Sequence, residues 1–173
     1  MSMHRPQDER KHSPRTDYES LGSQAYDLLK DEPDFIANSA NFASLVYHGM
    51  SDVNWCGFYF KRGADLVLGP FCGKPACTRI VLGQGVCGRA AAQRQTLAVD
   101  DVGSFAGHIA CDTASQSEIV VPLLRGDELI GVFDLDSARL ARFTLQDKVA
   151  LEELVHVFMT VANPPEPLIH EPV

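Results

Sequence analysis

The chain has 173 residues, 45% of them apolar and 8% aromatic, and carries a formal net charge of −8. Such a length and composition describe one globular domain with room for a core. The acidic balance excludes nucleic acid as the principal partner, because phosphate binding needs clustered Lys and Arg, and no apolar run approaches the roughly 18 residues that span a bilayer.

The opening stretch MSMHRPQDERKHSPR lacks the apolar segment of a secretory signal. Five cysteines, an odd number, suit a reducing compartment and free thiols, so a cytoplasmic location is expected. Residues 1–16 are polar, contain Pro6 and Pro14, and cannot bury enough surface to fold alone, so a disordered tail is expected there. The domain is expected over 17–163, with a second short tail over 164–173.

From Tyr18, the apolar positions Leu21, Ala25, Leu28 and Leu29 recur at helical spacing. Pro33 breaks that helix and Asp34 caps the next, whose apolar face reads as Phe35, Ile36, Ala40, Ala43, Val46 and Tyr47. Strands follow over 53–61 and 65–68, joined by a turn at Arg62-Gly63-Ala64. A Gly/Pro-rich loop leads to a short strand over 78–82, a small helix over 88–93 and a strand over 96–99. The stretch 100–117 has no periodicity and is a long loop, a kind that usually carries function. Residues 118–124 and 129–135 form a hairpin around Arg125-Gly126-Asp127-Glu128. Thr144 and Asp147 make a capping box for a last helix that buries Leu151, Leu154, Val155, Phe158 and Val161 before Pro164-Pro165. Short hairpins imply a largely antiparallel sheet with helices packed on it, an α+β domain.

The chemistry gathers in the loops. Cys77 closes GPFCGKPAC and Cys111 lies in GHIACDTASQSEIVVPL, among Gly, Pro, His and Asp that keep a thiol reachable. Cys87 stands before the short helix, whose N-terminal partial charge lowers a thiol pKa. Cys56, inside a strand, reads as a small buried hydrophobe. Cys72 lies in a loop with no task assigned by its neighbours. The spacing of Cys72, Cys77 and Cys87 does not match the paired Cys-x2-Cys knuckles of structural zinc sites, so no metal is expected.

Asp134 and Asp136 alternate with Leu135 on a strand and so share one face. Two such carboxylates repel when ionised, so one tends to keep a proton. Whether Glu118 joins them depends on register. A plain two-residue turn pairs Glu118 with Leu135 on the wrong face; a longer loop or a bulge pairs it with Asp134 or Asp136. Trp55 and Tyr59 share a face of the first strand, either as core or as an apolar wall beside the acids, which a small zwitterion would need.

The segments NWCGFYF, LGPFCGKPACTRI, GVCGRAA, GHIACDTASQSEIVVPL and GVFDLDS, in this order, resemble the free methionine-(R)-sulfoxide reductases, which are single GAF domains. The resemblance runs from Tyr18 to Ala162. It implies a six-stranded GAF sheet, commonly in a homodimer, and reduction of free methionine-(R)-sulfoxide with thioredoxin-type proteins as electron donors and no cofactor. Position by position, it makes Cys111 the nucleophile, Cys77 the usual resolving cysteine and Cys87 a third thiol able to enter disulfide exchange. Glu118, Asp134 and Asp136 become the substrate-binding acids, and Trp55 and Tyr59 the wall around the substrate methyl group. Which of Cys77 and Cys87 resolves first stays open, and a GAF sensor that binds a small ligand without turnover is the alternative.

Overall fold

Each long helix starts where a side chain can take up its unpaired amide groups. In a computed structural model, which describes residues 16–107 and 113–164, α1 spans Tyr18–Leu29 and α2 spans Phe35–Gly49. Asp17 accepts from the Ser20 amide at 3.0 Å and Asp34 from the Ala37 amide at 2.7 Å. The capping box of α4 (Leu145–Val161) forms as expected: Thr144 Oγ1 accepts from the Asp147 amide at 3.2 Å, and the Asp147 carboxylate accepts from the Thr144 amide at 2.8 Å. Of the expected tails over 1–16 and 164–173, residues 1–15 and 165–173 lie outside the described residues. Among the described residues no helix is long and apolar enough to cross a membrane.

Six strands form one sheet: β1 (Trp55–Arg62), β2 (Asp65–Cys72), β3 (Arg79–Val81), β4 (Leu97–Val99), β5 (Ser117–Arg125) and β6 (Glu128–Ser137). Their order is β3-β2-β1-β6-β5-β4, and all five pairings are antiparallel. The α+β reading therefore holds. Helix α3 (Gly85–Gln93) lies between β3 and β4, and a 3-10 turn (Val102–Ser104) lies between β4 and β5.

Strand alternation divides the molecule into two layers. Cys56, Phe58, Phe60, Ile119, Val121, Leu123, Phe133 and Leu135 point to one face and pack on α1, α2 and α4. Phe42, Phe58, Phe133 and Phe158 form its centre, with ring centroids 4.7 to 6.0 Å apart. Each is fully buried, a contribution on the order of 1.5–3 kcal/mol per ring. The other face carries Trp55, Tyr59, Val120 and Val132 and packs on α3. That second, thinner layer holds the chemistry.

Several boundaries and faces differ from the sequence reading. Helix α2 buries Phe35, Asn38, Ser39, Phe42, Ala43 and Val46, while Ile36 and Ala40 are exposed and Tyr47 is half-buried. The polar Asn38 and Ser39 enter the buried stripe because Asn38 Nδ2 donates to the Glu32 carbonyl at 2.7 Å and Ser39 Oγ to the Phe35 carbonyl at 2.6 Å. Leu28, read as part of the α1 stripe, is exposed. Strand β2 runs on through Gly69-Pro70 to Cys72, so Cys72 is in a strand and not a loop. The register shifts between Gly57 and Tyr59, a bulge opposite Gly69-Pro70 of the kind that admits a proline in a strand. Helix α3 begins at Gly85, three residues earlier than the reading, which places Cys87 inside it.

Candidate active site

The register of the β5–β6 hairpin decides whether the acids meet. Arg125 pairs with Glu128 and Leu124 with Leu129, as a two-residue turn requires. The register then shifts between Leu123 and Leu124, and Leu123 pairs with Gly131. This bulge at Ile130 moves Glu118 from Leu135 to Asp136 and turns its side chain to the face of both aspartates. Strand β1 adds the next column, since Trp55 pairs with Asp136, Gly57 with Asp134 and Tyr59 with Val132. Glu118, Asp134, Asp136, Trp55 and Tyr59 therefore share one face of three adjacent strands.

Gly57 is what lets the aromatic wall form. A Cβ there would stand 2.3 Å from Phe71 Cβ and 2.8 Å from the Trp55 ring. Without it, the Trp55 indole lies between two rings, 5.9 Å from Tyr59 and 5.4 Å from Phe71, stacked on both. Phe71 is a wall residue the sequence reading missed; its signal, alternation along β2, was hidden by the assumed end of that strand at Leu68. Both wall residues also hold the loop that carries Cys77. Trp55 Nε1 donates to the Lys74 carbonyl at 3.1 Å, and the Tyr59 hydroxyl to the Cys77 carbonyl at 3.0 Å. Cys77 is disulfide-bonded, whereas Cys56, Cys72 and Cys87 are free thiols.

Electrostatically the site is out of balance. Glu118 and Asp134 are 6% and 5% exposed, and Asp136 is half-buried beside them. Burial raises the Glu118 carboxyl well above the ordinary range, and the Asp136 charge adds to this. Burial, then Glu118 and Asp136, does the same to Asp134. No hydrogen-bond partner reaches Asp134 Oδ1 among the described residues. Cys87 Sγ lies 3.8 Å from Glu118 Oε1, a weak thiol donation. Burial and crowding thus favour a protonated carboxyl within the trio, and Asp134 Oδ1 is left as an unmatched acceptor for any cation that enters.

Cys87 departs from expectation. Its thiol is pushed up, by burial first and by the Asp134 and Glu118 charges next. The helix N-terminus contributes only about 0.3–1 kcal/mol at ordinary exposure and is overridden. Cys87, Glu118 and Asp134 do offer ligand atoms within 4.8 Å of one another, a set able to face a cation. Cys72 is not among them, since it pairs with Cys56 on the helix-covered face.

Cys111 lies outside the described residues, within 108–112. The ends of its loop are described. The Val102 amide donates to the Gln116 carbonyl at 2.9 Å and closes the loop base. Asn54 Nδ2 donates to Ser115 Oγ at 3.2 Å, tying the returning end to the start of β1. On the outgoing side, Arg89 of α3 stacks 4.6 Å over the Phe105 ring and donates to the Ala106 carbonyl at 2.5 Å. Arg89 is a second residue that the sequence reading passed over, because only the tertiary fold brings α3 against this loop.

Comparison with known proteins matches the GAF domain over residues 31–160. The chain is 48% identical over 138 residues to the free methionine-R-sulfoxide reductase of Escherichia coli, covering 80% of this chain and 84% of that one. A crystal structure of a putative GAF sensor protein from Burkholderia vietnamiensis is 57% identical, with a TM-score of 0.81 over 83% of this chain and 92% of that one. The free methionine-R-sulfoxide reductase from Neisseria meningitidis, solved in complex with its substrate, is 41% identical, with a TM-score of 0.82 over 85% of this chain and 89% of that one. With that fold and that likeness along most of its length, the chain belongs to the free methionine-R-sulfoxide reductase family of GAF domains.

Proposed function

We propose that this protein is an oxidoreductase that reduces free methionine-(R)-sulfoxide to methionine with its own cysteines. The observation that carries the reading is the bulged β5–β6 register, which sets three acids under an aromatic wall beside a loop whose cysteine is disulfide-bonded. The substrate's ammonium group would lie against Asp134, Asp136 and Glu118, meeting the unmatched Asp134 Oδ1. Trp55 and Tyr59 would border its methyl and methylene groups.

The Cys111 thiolate attacks the sulfoxide sulfur, and a protonated acid of the trio donates a proton to the oxygen. The oxygen transfers to Cys111 as sulfenic acid, and methionine leaves. A second thiol then attacks the Cys111 sulfur, its proton departs with the hydroxide as water, and a disulfide forms. Cys77 is the better candidate for that thiol, since it is disulfide-bonded while Cys87 is buried, held by Glu118 and raised in pKa. A dithiol reductant of the thioredoxin class reopens the bond by exchange and returns both thiols. Organic cofactors and metals have no step in this cycle. A homodimer is part of the same proposal.

The test is a coupled assay that follows reductant consumption with the R and S forms of free methionine sulfoxide supplied separately, and with N-acetyl-methionine-(R)-sulfoxide. Turnover is expected on the free R form. The N-acetylated form replaces the ammonium with a neutral amide and leaves the buried acids unmatched, so a preference of at least about a hundredfold for the free amino acid is expected. Comparable rates on the free and acetylated forms overturn the role of the acids. No reductant consumption on any form returns the protein to the sensor reading.

A further inference from the structure

Two of the free thiols lie outside the proposed cycle, and the sheet places them together. Cys56 in β1 and Cys72 in β2 are directly opposed partners in an antiparallel pair. Opposed residues project to the same face, with Cα atoms about 4.5 to 5.5 Å apart. A disulfide requires roughly 4.4 to 6.8 Å. The chains are held tightly here: a Cβ on Gly73, the residue after Cys72, would stand 2.7 Å from Trp55 Cδ1 and 2.9 Å from the Asn54 carbonyl oxygen. Gly73 also has a φ of +129°, which admits this approach without side-chain strain.

We propose that Cys56 and Cys72 are a second redox pair, a cross-strand dithiol that hydrogen peroxide converts to a disulfide. The two thiols differ in access. Cys56 is fully buried against Leu135 and the helical layer, while Cys72 is half-buried at the end of β2. Burial raises the Cys56 thiol, and the neighbouring Asp134, Cys72 and Asp136 add to it. Cys72 is therefore the group that meets the oxidant. Its thiol sheds a proton, the thiolate attacks one peroxide oxygen, the O–O bond breaks, and Cys72 becomes a sulfenic acid while the expelled hydroxide takes up that proton as water. Cys56 then attacks the Cys72 sulfur, the S–O bond breaks, and the hydroxide leaves with the Cys56 proton as a second water. Two thiols lose two electrons and one peroxide gains them. The bond would tie the base of the Cys77 loop to β1, next to Trp55.

The experiment uses the full chain. Lys74 precedes Pro75, where trypsin does not cut, so Cys72 and Cys77 fall on one tryptic peptide. The Cys77→Ser/Cys111→Ser variant removes that ambiguity. Reduced variant, shown folded by circular dichroism, is treated with hydrogen peroxide, quenched in acid, alkylated in denaturant and mapped by mass spectrometry. The expected result is loss of two alkylated sites per chain and a linked peptide pair joining Cys56 to Cys72, absent when Cys72→Ser is added. In the unsubstituted protein, fragment spectra should place the same link at Cys72 and not Cys77. Cys72 driven to sulfinic acid while Cys56 stays alkylatable overturns the proposal. So do both thiols remaining reduced at millimolar peroxide, or a link from either to Cys87.

Discussion

Replacing Asp134 by Asn should make the protein more stable and less active, with the gain in stability growing as pH rises. Asp134 is buried beside Glu118 and Asp136, and its Oδ1 has no hydrogen-bond partner among the described residues. Its folded-state pKa is raised, by burial first and then by those two charges. In the unfolded chain it titrates near the ordinary value of about 4. Between that value and the raised one, the folded protein keeps a proton that the unfolded chain releases. The unfolded state then binds fewer protons, so stability falls as pH rises through this window. Asn keeps the shape and removes the charge, so the variant lacks this decline. Each pH unit inside that window costs the parent about 1.4 kcal/mol, and each kcal/mol moves the Tm of a chain this size by about 2–4 °C. The Tm of Asp134→Asn should therefore equal that of the parent below about pH 4 and exceed it by several degrees at pH 8. Turnover on free methionine-(R)-sulfoxide should fall by at least about tenfold, since a charged partner for the ammonium is gone. Thermal melts from pH 4 to 9 and steady-state rates on the same preparations provide both readouts. A variant less stable than the parent at every pH, with activity lost in proportion, would refute the reasoning and make Asp134 structural.

Two further outcomes separate the thiols and the loop. Cys111→Ser should abolish turnover, whereas Cys77→Ser should release about one methionine per chain in a single-turnover assay and then stall at the sulfenic acid; near-normal turnover of Cys111→Ser would remove it as nucleophile. Arg89→Met removes the stacking on Phe105 and the donation to the Ala106 carbonyl. It should lower kcat by roughly tenfold or more, since an ångström of misplacement near reacting atoms can cost about 10²-fold. Its Tm should fall by only a few degrees, as befits the loss of about 1–2 kcal/mol. Unchanged kcat would show that Arg89 does not position the Cys111 loop.

Much of this protein was legible locally. Asp34 and the Thr144–Asp147 box act through hydrogen bonds within three residues, so side-chain chemistry alone locates those helix starts. The apolar, aromatic and β-branched runs of β1, β5 and β6 likewise mark strands, and both faces of each are largely buried. What the sequence left open was long-range. Glu118 and Asp136 are far apart in the chain, and a one-residue bulge at Ile130 puts them on a common face; nothing in the spelling of the hairpin turn distinguishes that from the plain register. The same limit hid the pairing of Cys56 with Cys72, because β2 continues past Gly69-Pro70 only by virtue of its ladder to β1. Cys87 shows the electrostatic side of this limit. Its place at a helix start argues for a lowered pKa, but burial against two carboxylates, which only the packed sheet supplies, reverses the sign. Caps and strand-forming runs depend on neighbours a few residues away, whereas register, burial and charge crowding depend on which strands the folded chain brings side by side.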